Sequence, residues 1–234
     1  MINCAKPPLP SDRDCYQASC HFDKRLYQET TADRLGIILP STLNRAVQKR
    51  KAEFIAGRYC AQTALAQLDN KLDAVIEIGA NREPLWPEGV IGSITHTESY
   101  ASALVAHRNK VRAIGIDSEA WIRPGSLDND SRHILTRTEG YADFERLFET
   151  PLHYLTLIFS AKESLFKCLF PIVNTFFDFH AATIIPTPCS STTQGHFRFE
   201  LLKDLNAEFR AGYSGQGSYV IDTDIVHTAI VLKV

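Results

Sequence analysis

Val111-Arg112-Ala113-Ile114-Gly115-Ile116-Asp117-Ser118-Glu119 is the stretch that most restricts the fold. Its β-branched and apolar residues follow a polar turn, which predicts a strand that closes a hairpin. Alternate residues of a strand share a face at a spacing of roughly 6.5–7 Å, so Asp117 and Glu119 are expected to point the same way. The residues before them on that face, Ala113 and Gly115, are small and leave room beside the sheet. Two carboxylates beside such room indicate a hard-cation site, because Mg²⁺ is usually bound by one or two carboxylates, water and substrate phosphate.

A second stretch, Phe159-Ser160-Ala161-Lys162-Glu163-Ser164-Leu165-Phe166-Lys167, is predicted to be helical. Apolar residues recur there every three or four positions, and Pro171 is expected to end the helix. Lys162 lies within the apolar stripe, where another apolar side chain would be expected, while Glu163 and Lys167 lie four residues apart on a flanking face. Taken alone, this pattern also fits a surface ion pair beside a lysine that extends from an apolar seam to solvent.

The segment Gly92-Ser93-Ile94-Thr95-His96-Thr97 joins a short apolar strand to hydroxyl residues and an imidazole. Backbone N–H groups, hydroxyls and an imidazole within one turn can cradle a phosphate. A single histidine at such a position also commonly serves as a hydrogen-bonded structural residue. The segment alone does not decide between the two roles.

Composition argues against several classes of protein. The chain of 234 residues is 44% apolar and carries a formal charge of −2, which fits one or two globular domains and lacks the basic character of nucleic-acid-binding proteins. Its six cysteines form no Cys-x-x-Cys pair, and Cys15, Cys20 and His21 lack the second ligand pair of a zinc finger. No stretch resembles a signal peptide, and no apolar run approaches the ~20 residues that span a bilayer, so we expect a cytoplasmic protein.

Secondary-structure patterns divide the chain into two halves, 1–114 and 115–234. Residues 1–40 are expected to be irregular. The rest of the first half is expected to form a helix from Ser41 to Leu68 and strands at 74–78, 90–95, 100–106 and 111–117. The second half is expected to form a helix at 152–169 and strands near 179–185, 196–202 and 218–232.

Five segments together resemble the 4′-phosphopantetheinyl transferases of the surfactin-type class and are similar to the enterobactin synthase component D group. Each segment is weak alone, but all five occur in the order and at the spacing of that family. They are Lys49–Arg58, Glu83–Pro87, Gly92–His96, Gly115–Glu119 and Lys162–Lys167. The resemblance covers the middle half of the sequence.

The resemblance implies an activity and a fold. The activity is Mg²⁺-dependent transfer of the 4′-phosphopantetheine arm of coenzyme A to a serine hydroxyl of an apo acyl or peptidyl carrier protein, with release of 3′,5′-ADP. The fold is α+β, with two pseudo-twofold-related α/β halves packed as a monomer. The first half would bind the adenylate part of coenzyme A, and the second would hold the metal and the pyrophosphate. The carrier itself, whether of siderophore, peptide, polyketide or lipid synthesis, is not identified.

Carried over position by position, the resemblance implies roles for individual residues. The implied metal ligands are Asp117, Glu119 and Glu163. The implied catalytic residues are Asp117, Lys167 and Glu163, the last as a base acting directly or through a water. The implied coenzyme A contacts are Arg50, Arg58, Thr95, His96, Lys162 and Lys167. Related sequences place a lysine shortly before Glu83, and in this chain Arg82 is the candidate that replaces it.

Two other classes fit some of the same residues. An acidic pair with a glutamate and a lysine also serves Mg²⁺-dependent phosphodiester cleavage, so a phosphodiesterase or nuclease is one alternative. The composition of a basic nucleic-acid groove is missing, which argues against it. A module that binds carrier domains without modifying them is the non-enzymatic alternative, but binding alone has no need of so many charged groups.

Overall fold

The computed structural model describes residues 1–9, 13–69, 75–123, 127–140 (backbone only at 127–130), 148, 150–187 and 193–234. The chain divides into two compact units. One unit comprises Met1–Ile114 together with Leu232–Val234, and the other comprises Gly115–Val231. Within the described ranges, no helix combines the length and the apolar character needed to cross a membrane.

The first unit is built on an antiparallel sheet in the order β1-β2-β6-β5, with β3 and β4 forming a separate two-stranded ribbon. Its strands are β1 (Ile2–Ala5), β2 (Cys15–Phe22), β3 (Glu77–Ile78), β4 (Pro84–Leu85), β5 (Val90–His96) and β6 (Tyr100–His107). Its helices are α1 (Thr31–Arg34) and α2 (Gln48–Leu68). The prediction that residues 1–40 are irregular is wrong, because β1 and β2 form half of this sheet.

Helix α2 packs against this sheet through small residues. Four alanines on the packed face are fully buried: Ala52, Ala56, Ala61 and Ala64. A side chain added at Gly57 would come within 3.0 Å of the Ile94 side chain on β5, which shows how closely the helix approaches the strand. The helix begins at Gln48 rather than at Ser41, because Ser41–Leu43 forms a short 3-10 turn and Val47 is extended.

The second unit is built on a five-stranded sheet in the order β7-β11-β10-β9-β8. Its strands are β7 (Val111–Ala120), β8 (Ala182–Thr187), β9 (Gln194–Leu201), β10 (Ser214–Ile221) and β11 (Ile225–Lys233). Its helices are α3 (Leu127–Ile134) and α4 (Pro151–Val173). The single long strand expected near 218–232 is in fact two antiparallel strands, β10 and β11.

Helix α4 is longer than the sequence predicts. Its N-cap residue Thr150 accepts a hydrogen bond from a backbone N–H of the first turn, and Pro151 occupies the position where a proline is best tolerated. The helix continues through Pro171, which lies in the last turn and removes only one backbone hydrogen bond there. Asn174 then ends it with a left-handed φ of 50°, and its N–H bonds to the Phe170 carbonyl.

Strand β7 and helix α4 approach most closely at Gly115. A side chain added there would overlap the backbone carbonyl oxygen of Ser164 and lie 2.6 Å from the backbone nitrogen of Cys168. The room beside Gly115 is therefore filled by α4 and is not open to a ligand. The expected hairpin is also absent, because β7 neighbours β11 in the sheet and not the strand that precedes it in the chain.

Replacing Gly115 with alanine is expected to lower the free energy of unfolding by at least about 2 kcal/mol, because backbone atoms of α4 cannot yield to the new methyl group. Urea denaturation measures the change. Gly57→Ala is the matched control, since its methyl group would meet a single side-chain atom, Ile94 Cγ2 at 3.0 Å, and no backbone atom of another element. Equal stability of Gly115→Ala and the wild-type protein would contradict the close approach.

Residues Leu232–Val234 belong to the first unit although they follow strand β11 of the second. Lys233 Nζ lies 2.9 Å from Asp14 Oδ2, and the N–H of Val234 donates to the Lys110 carbonyl at 3.3 Å. The chain thus crosses between the units twice, once at β7 and once at β11.

Candidate active site

Four ionisable side chains of the second unit are brought together by β7 and α4. Asp117 and Glu119 alternate along β7 and share a face, and Glu163 and Lys167 lie one turn apart on α4. Lys167 Nζ donates a hydrogen bond to Asp117 Oδ1 at 2.6 Å, and Asp117 is buried. The close approach of the two elements at Gly115 accounts for this contact, since Gly115 precedes Asp117 on the same face.

Two carboxyl groups of this cluster, Glu119 and Glu163, have raised pKa values. Burial raises the pKa of Glu119 to about 8, and the negative charge of Asp117 adds to the rise. Burial also raises the pKa of Glu163, against the lowering effect of the Lys167 ammonium. Three acidic side chains therefore lie near one lysine, and a divalent cation would neutralise their negative charge.

The donor set suits Mg²⁺, but the predicted metal site is not preassembled. Carboxylate oxygens are the ligands that Mg²⁺ prefers, and a cation would relieve the repulsion among Asp117, Glu119 and Glu163. Among the residues that the structure describes, however, no three carboxylate, imidazole or thiol groups are arranged to hold a metal ion. Lys167 supplies the positive charge beside Asp117, so a bound ion would compete with that contact.

Lys162 is placed where it cannot reach a pyrophosphate, contrary to its implied role. Its side chain is 2% exposed, and its Nζ donates to the Ile134 carbonyl at 2.7 Å, to Glu139 Oε2 at 2.7 Å and to the Phe179 carbonyl at 2.9 Å. These three bonds use every N–H of the ammonium group. Burial lowers the pKa of Lys162, while the charge of Glu139 opposes that effect.

Glu139 is the residue of this region that sequence analysis missed. Its side chain is fully buried, and it also accepts hydrogen bonds from the backbone N–H groups of Thr136 and Ile184, both at 2.6 Å. The available signal was the spacing of Thr136 and Glu139, a hydroxyl residue followed three positions later by a glutamate, as in a capping box. That spacing does not reveal a partner 23 residues further along the chain.

In the first unit, Arg50 of α2 meets His96 of β5. Arg50 Nη1 lies 3.2 Å from His96 Nε2 and 3.6 Å from Glu53 Oε2, and Lys49 Nζ lies 3.9 Å from the same glutamate side chain. The Arg50 side chain is half exposed. A guanidinium and an imidazole on an accessible surface form a pair that can bind a phosphate group.

Thr95 does not join this pair. Neighbouring residues of a strand face opposite sides, so Thr95 points away from the side of the sheet that carries His96, and it is 4% exposed. Its implied contact with coenzyme A is therefore not supported. Arg82 is exposed in the turn between β3 and β4 with a φ of 68°, and its role stays a prediction.

Arg58 is buried rather than presented to a phosphate. Its guanidinium lies 4.9 Å from the centre of the Phe54 ring, and Nη2 donates to the Glu77 carbonyl at 3.3 Å. Burial lowers the pKa of Arg58 to about 10. These contacts give Arg58 a structural role beneath strand β3, contrary to its implied contact with the adenosine phosphate.

Comparison with known proteins gives matches in both units. The family model for the 4′-phosphopantetheinyl transferase N-terminal domain matches residues 39–106, and that for the 4′-phosphopantetheinyl transferase superfamily matches residues 113–223. The 4′-phosphopantetheinyl transferase PptT of Mycobacterium tuberculosis is 32% identical over 216 residues, which are 90% of this chain and 93% of the relative. Enterobactin synthase component D of Salmonella typhi is 38% identical over 154 residues, which are 62% of this chain and 58% of the relative.

The two-domain α+β fold, with two antiparallel sheets and helices, is that of a phosphopantetheinyl transferase. The chain belongs to the 4′-phosphopantetheinyl transferase family. It transfers phosphopantetheine from coenzyme A to carrier proteins. The family, the fold class and the enzymatic activity expected from the sequence are thereby confirmed, and the nuclease and the non-catalytic binding module are set aside.

Proposed function

We propose that the acceptor is a serine hydroxyl of an apo carrier domain, that 3′,5′-ADP is released, and that Asp117, Glu119 and Glu163 would hold the Mg²⁺. The observation that carries this proposal is the cluster of these three carboxylates around Lys167. Bound Mg²⁺ would neutralise charge on the pyrophosphate oxygens.

The proposed step exchanges one phosphorus–oxygen bond for another. The serine oxygen forms a bond to the phosphorus that carries the pantetheine group, and the bridging oxygen leaves with 3′,5′-ADP. The serine proton passes to Glu163, the carboxylate that α4 contributes to the cluster, directly or through a water. The Lys167 ammonium offsets the charge that develops on the leaving phosphate.

Arg50 and His96 are assigned to the 3′-phosphate end of coenzyme A. They are the two predicted coenzyme A contacts of the first unit that the structure places side by side, 3.2 Å apart. A guanidinium next to an imidazole offers several N–H donors to one phosphate group. Glu53, in the same turn as Arg50, holds the guanidinium in place when the phosphate is absent.

We expect His96→Ala to raise the dissociation constant of coenzyme A about 10-fold, the effect of losing a hydrogen bond to a charged group, and to change kcat much less. Calorimetric titration and steady-state kinetics measure the two effects. His107→Ala is the matched control, because His107 is an exposed histidine at the end of β6 in the same unit. Unchanged coenzyme A affinity in His96→Ala would identify His96 as a structural residue.

A cytoplasmic monomer that modifies carriers of siderophore or other secondary-metabolite assembly fits the remaining observations best. The described cysteines at positions 4, 15, 20, 60 and 168 are free thiols, as is usual in a reducing compartment. The relatives named enterobactin synthase component D support a siderophore pathway. The formal charge of −2 gives no support for a nucleic-acid partner.

The test combines the protein with coenzyme A, Mg²⁺ and a panel of apo carrier proteins. One phosphopantetheine per carrier should appear by mass spectrometry, with an equal amount of 3′,5′-ADP, and EDTA should stop the reaction until Mg²⁺ is added in excess. A carrier whose acceptor serine is replaced with alanine should gain no mass. Coenzyme A with Mg²⁺ should raise the Tm, whereas oligonucleotides should not. Absence of mass gain across the whole panel would contradict the proposal.

A further inference from the structure

We propose that Glu139 and Lys162 are positioning residues for catalysis: their buried ion pair fixes the rotation of α4 and thereby directs Glu163 and Lys167 towards Asp117. The inference rests on the proposed function of that site. Neither residue touches the cluster of carboxylates, since all three N–H groups of Lys162 and both oxygens of Glu139 are bonded elsewhere.

The bonds of this pair join one residue of α4 to four other segments of the second unit. Lys162 reaches the carbonyl of Ile134 at the end of α3 and the carbonyl of Phe179 in the turn before β8. Glu139 accepts hydrogen bonds from the backbone N–H of Thr136 in the turn after α3 and from the backbone N–H of Ile184 within β8. Rotation of α4 would break several of these bonds at once, so the pair defines a single orientation of the helix.

Stability alone does not explain this arrangement. Lys162 lies within the apolar stripe of α4, and well-packed apolar residues at the place of a buried ion pair are often as stabilising or more so. Directional bonds to a charged side chain differ from apolar contacts in that they specify a geometry. A fixed geometry at residue 162 is useful because its neighbour Glu163 belongs to the acidic cluster.

Helix geometry converts this fixed orientation into a precise placement of the site. Successive residues are about 100° apart around a helix, so the orientation of Lys162 fixes the directions in which Glu163 and Lys167 leave the helix. A rotation of about 20° moves a carboxylate that lies ~6 Å from the axis by roughly 2 Å. A displacement of even ~1 Å at a reacting group can lower the rate about 100-fold.

The test compares three variants with the wild-type protein: Lys162→Met, Glu139→Gln and the double variant. Each single variant leaves a buried charge without its partner, so its Tm should fall and it can fail to fold. The double variant removes both charges and keeps the shapes of both side chains. Its Tm is therefore expected to lie closer to that of the wild-type protein than the Tm of either single variant does.

The double variant decides the proposal, because it separates the effect of the ion pair on protein stability from its effect on the placement of Glu163 and Lys167. We expect its kcat to fall roughly 10- to 100-fold while the KM for coenzyme A stays nearly constant. Its affinity for Mn²⁺, followed by the electron paramagnetic resonance of the free ion, is expected to fall as well, since Glu163 is a proposed ligand. Lys203→Met is the matched control, because Lys203 pairs with Asp178 on the exposed surface of the same unit, and it should change none of these quantities.

Three outcomes would overturn the proposal. A double variant with wild-type kcat and Mn²⁺ affinity would show that the pair serves stability alone. A raised KM for coenzyme A with unchanged kcat would instead assign Lys162 to phosphate binding. A wild-type protein that binds Mn²⁺ but transfers nothing would contradict the proposed function, and the Mn²⁺ affinities of the variants would still decide the positioning role. A wild-type protein with neither property would overturn both.

Discussion

Asp117→Asn is expected to reduce transfer to the carrier more than ~100-fold. The amide keeps the shape of the side chain and can still accept the hydrogen bond from Lys167, which lies 2.6 Å from Asp117 Oδ1. It removes the negative charge that a divalent cation requires from its ligands. Loss of a group that merely orients a metal ligand costs roughly 10–100-fold, so loss of a proposed ligand should cost more.

The measurement is the rate of phosphopantetheine transfer at saturating coenzyme A and a range of Mg²⁺ concentrations. Coenzyme A binding should persist without added metal, because Arg50 and His96 belong to the first unit and are unaffected. Asp224→Asn, an exposed carboxylate of the second unit, is the control for removal of one negative charge. Undiminished transfer by Asp117→Asn would remove the metal assignment of this residue.

Glu163→Gln is expected to show the second large effect, a loss of about 100-fold or more in kcat with coenzyme A affinity largely kept. The amide cannot accept the serine proton, and general-base catalysis typically contributes a factor of 10²–10⁴. A single-turnover experiment with apo carrier separates the chemical step from product release.

Glu200→Gln serves as the control for this prediction, because Glu200 is paired with Arg198 at the surface of the second unit. A Glu163→Gln variant that retains full turnover would exclude Glu163 as the base. A variant that loses coenzyme A affinity to the same extent as turnover would indicate that Glu163 acts through substrate binding.

Local sequence patterns were sufficient to predict the two elements that form the acidic site. Strand β7 was recognisable from its β-branched run, and α4 from its apolar repeat, so Asp117, Glu163 and Lys167 could be named from the sequence. Their proximity depends on the close approach at Gly115, which the pattern indicated only as room beside a strand. The space beside Gly115 is filled by a helix. The strand sequence alone could not show this, because the helix is placed there by tertiary packing.

Long-range partners account for the elements that were missed. Strand β2 pairs with β6, more than 80 residues later, as in the register of Ala18 with Ala103, and its own sequence has a weak strand pattern.

The start of α2 was placed too early because Ser41 is a favourable N-cap residue, yet the chain forms a 3-10 turn there. Pro171 was expected to end α4, whereas a proline in the last turn is compatible with the helix.

The roles carried over for lysine and arginine side chains were the least predictable part of the site. Lys162 and Arg58 were taken as phosphate contacts, and both are buried with backbone carbonyls as partners. The position of Lys162 in an apolar stripe was the sequence signal for burial. Its partner Glu139 could not be inferred, because a buried ion pair is formed by tertiary structure and leaves no local periodicity.

The return of Leu232–Val234 to the first unit has a practical consequence for dissecting this enzyme. A cut between Ile114 and Gly115 would leave Lys233 and Val234 on the C-terminal fragment. Their partners Asp14 and Lys110 would lie on the N-terminal fragment. Separate expression of the two halves is therefore expected to give an incomplete first half. A circular permutant or a co-expressed pair of fragments would preserve these contacts and is the better route to studying coenzyme A binding in isolation.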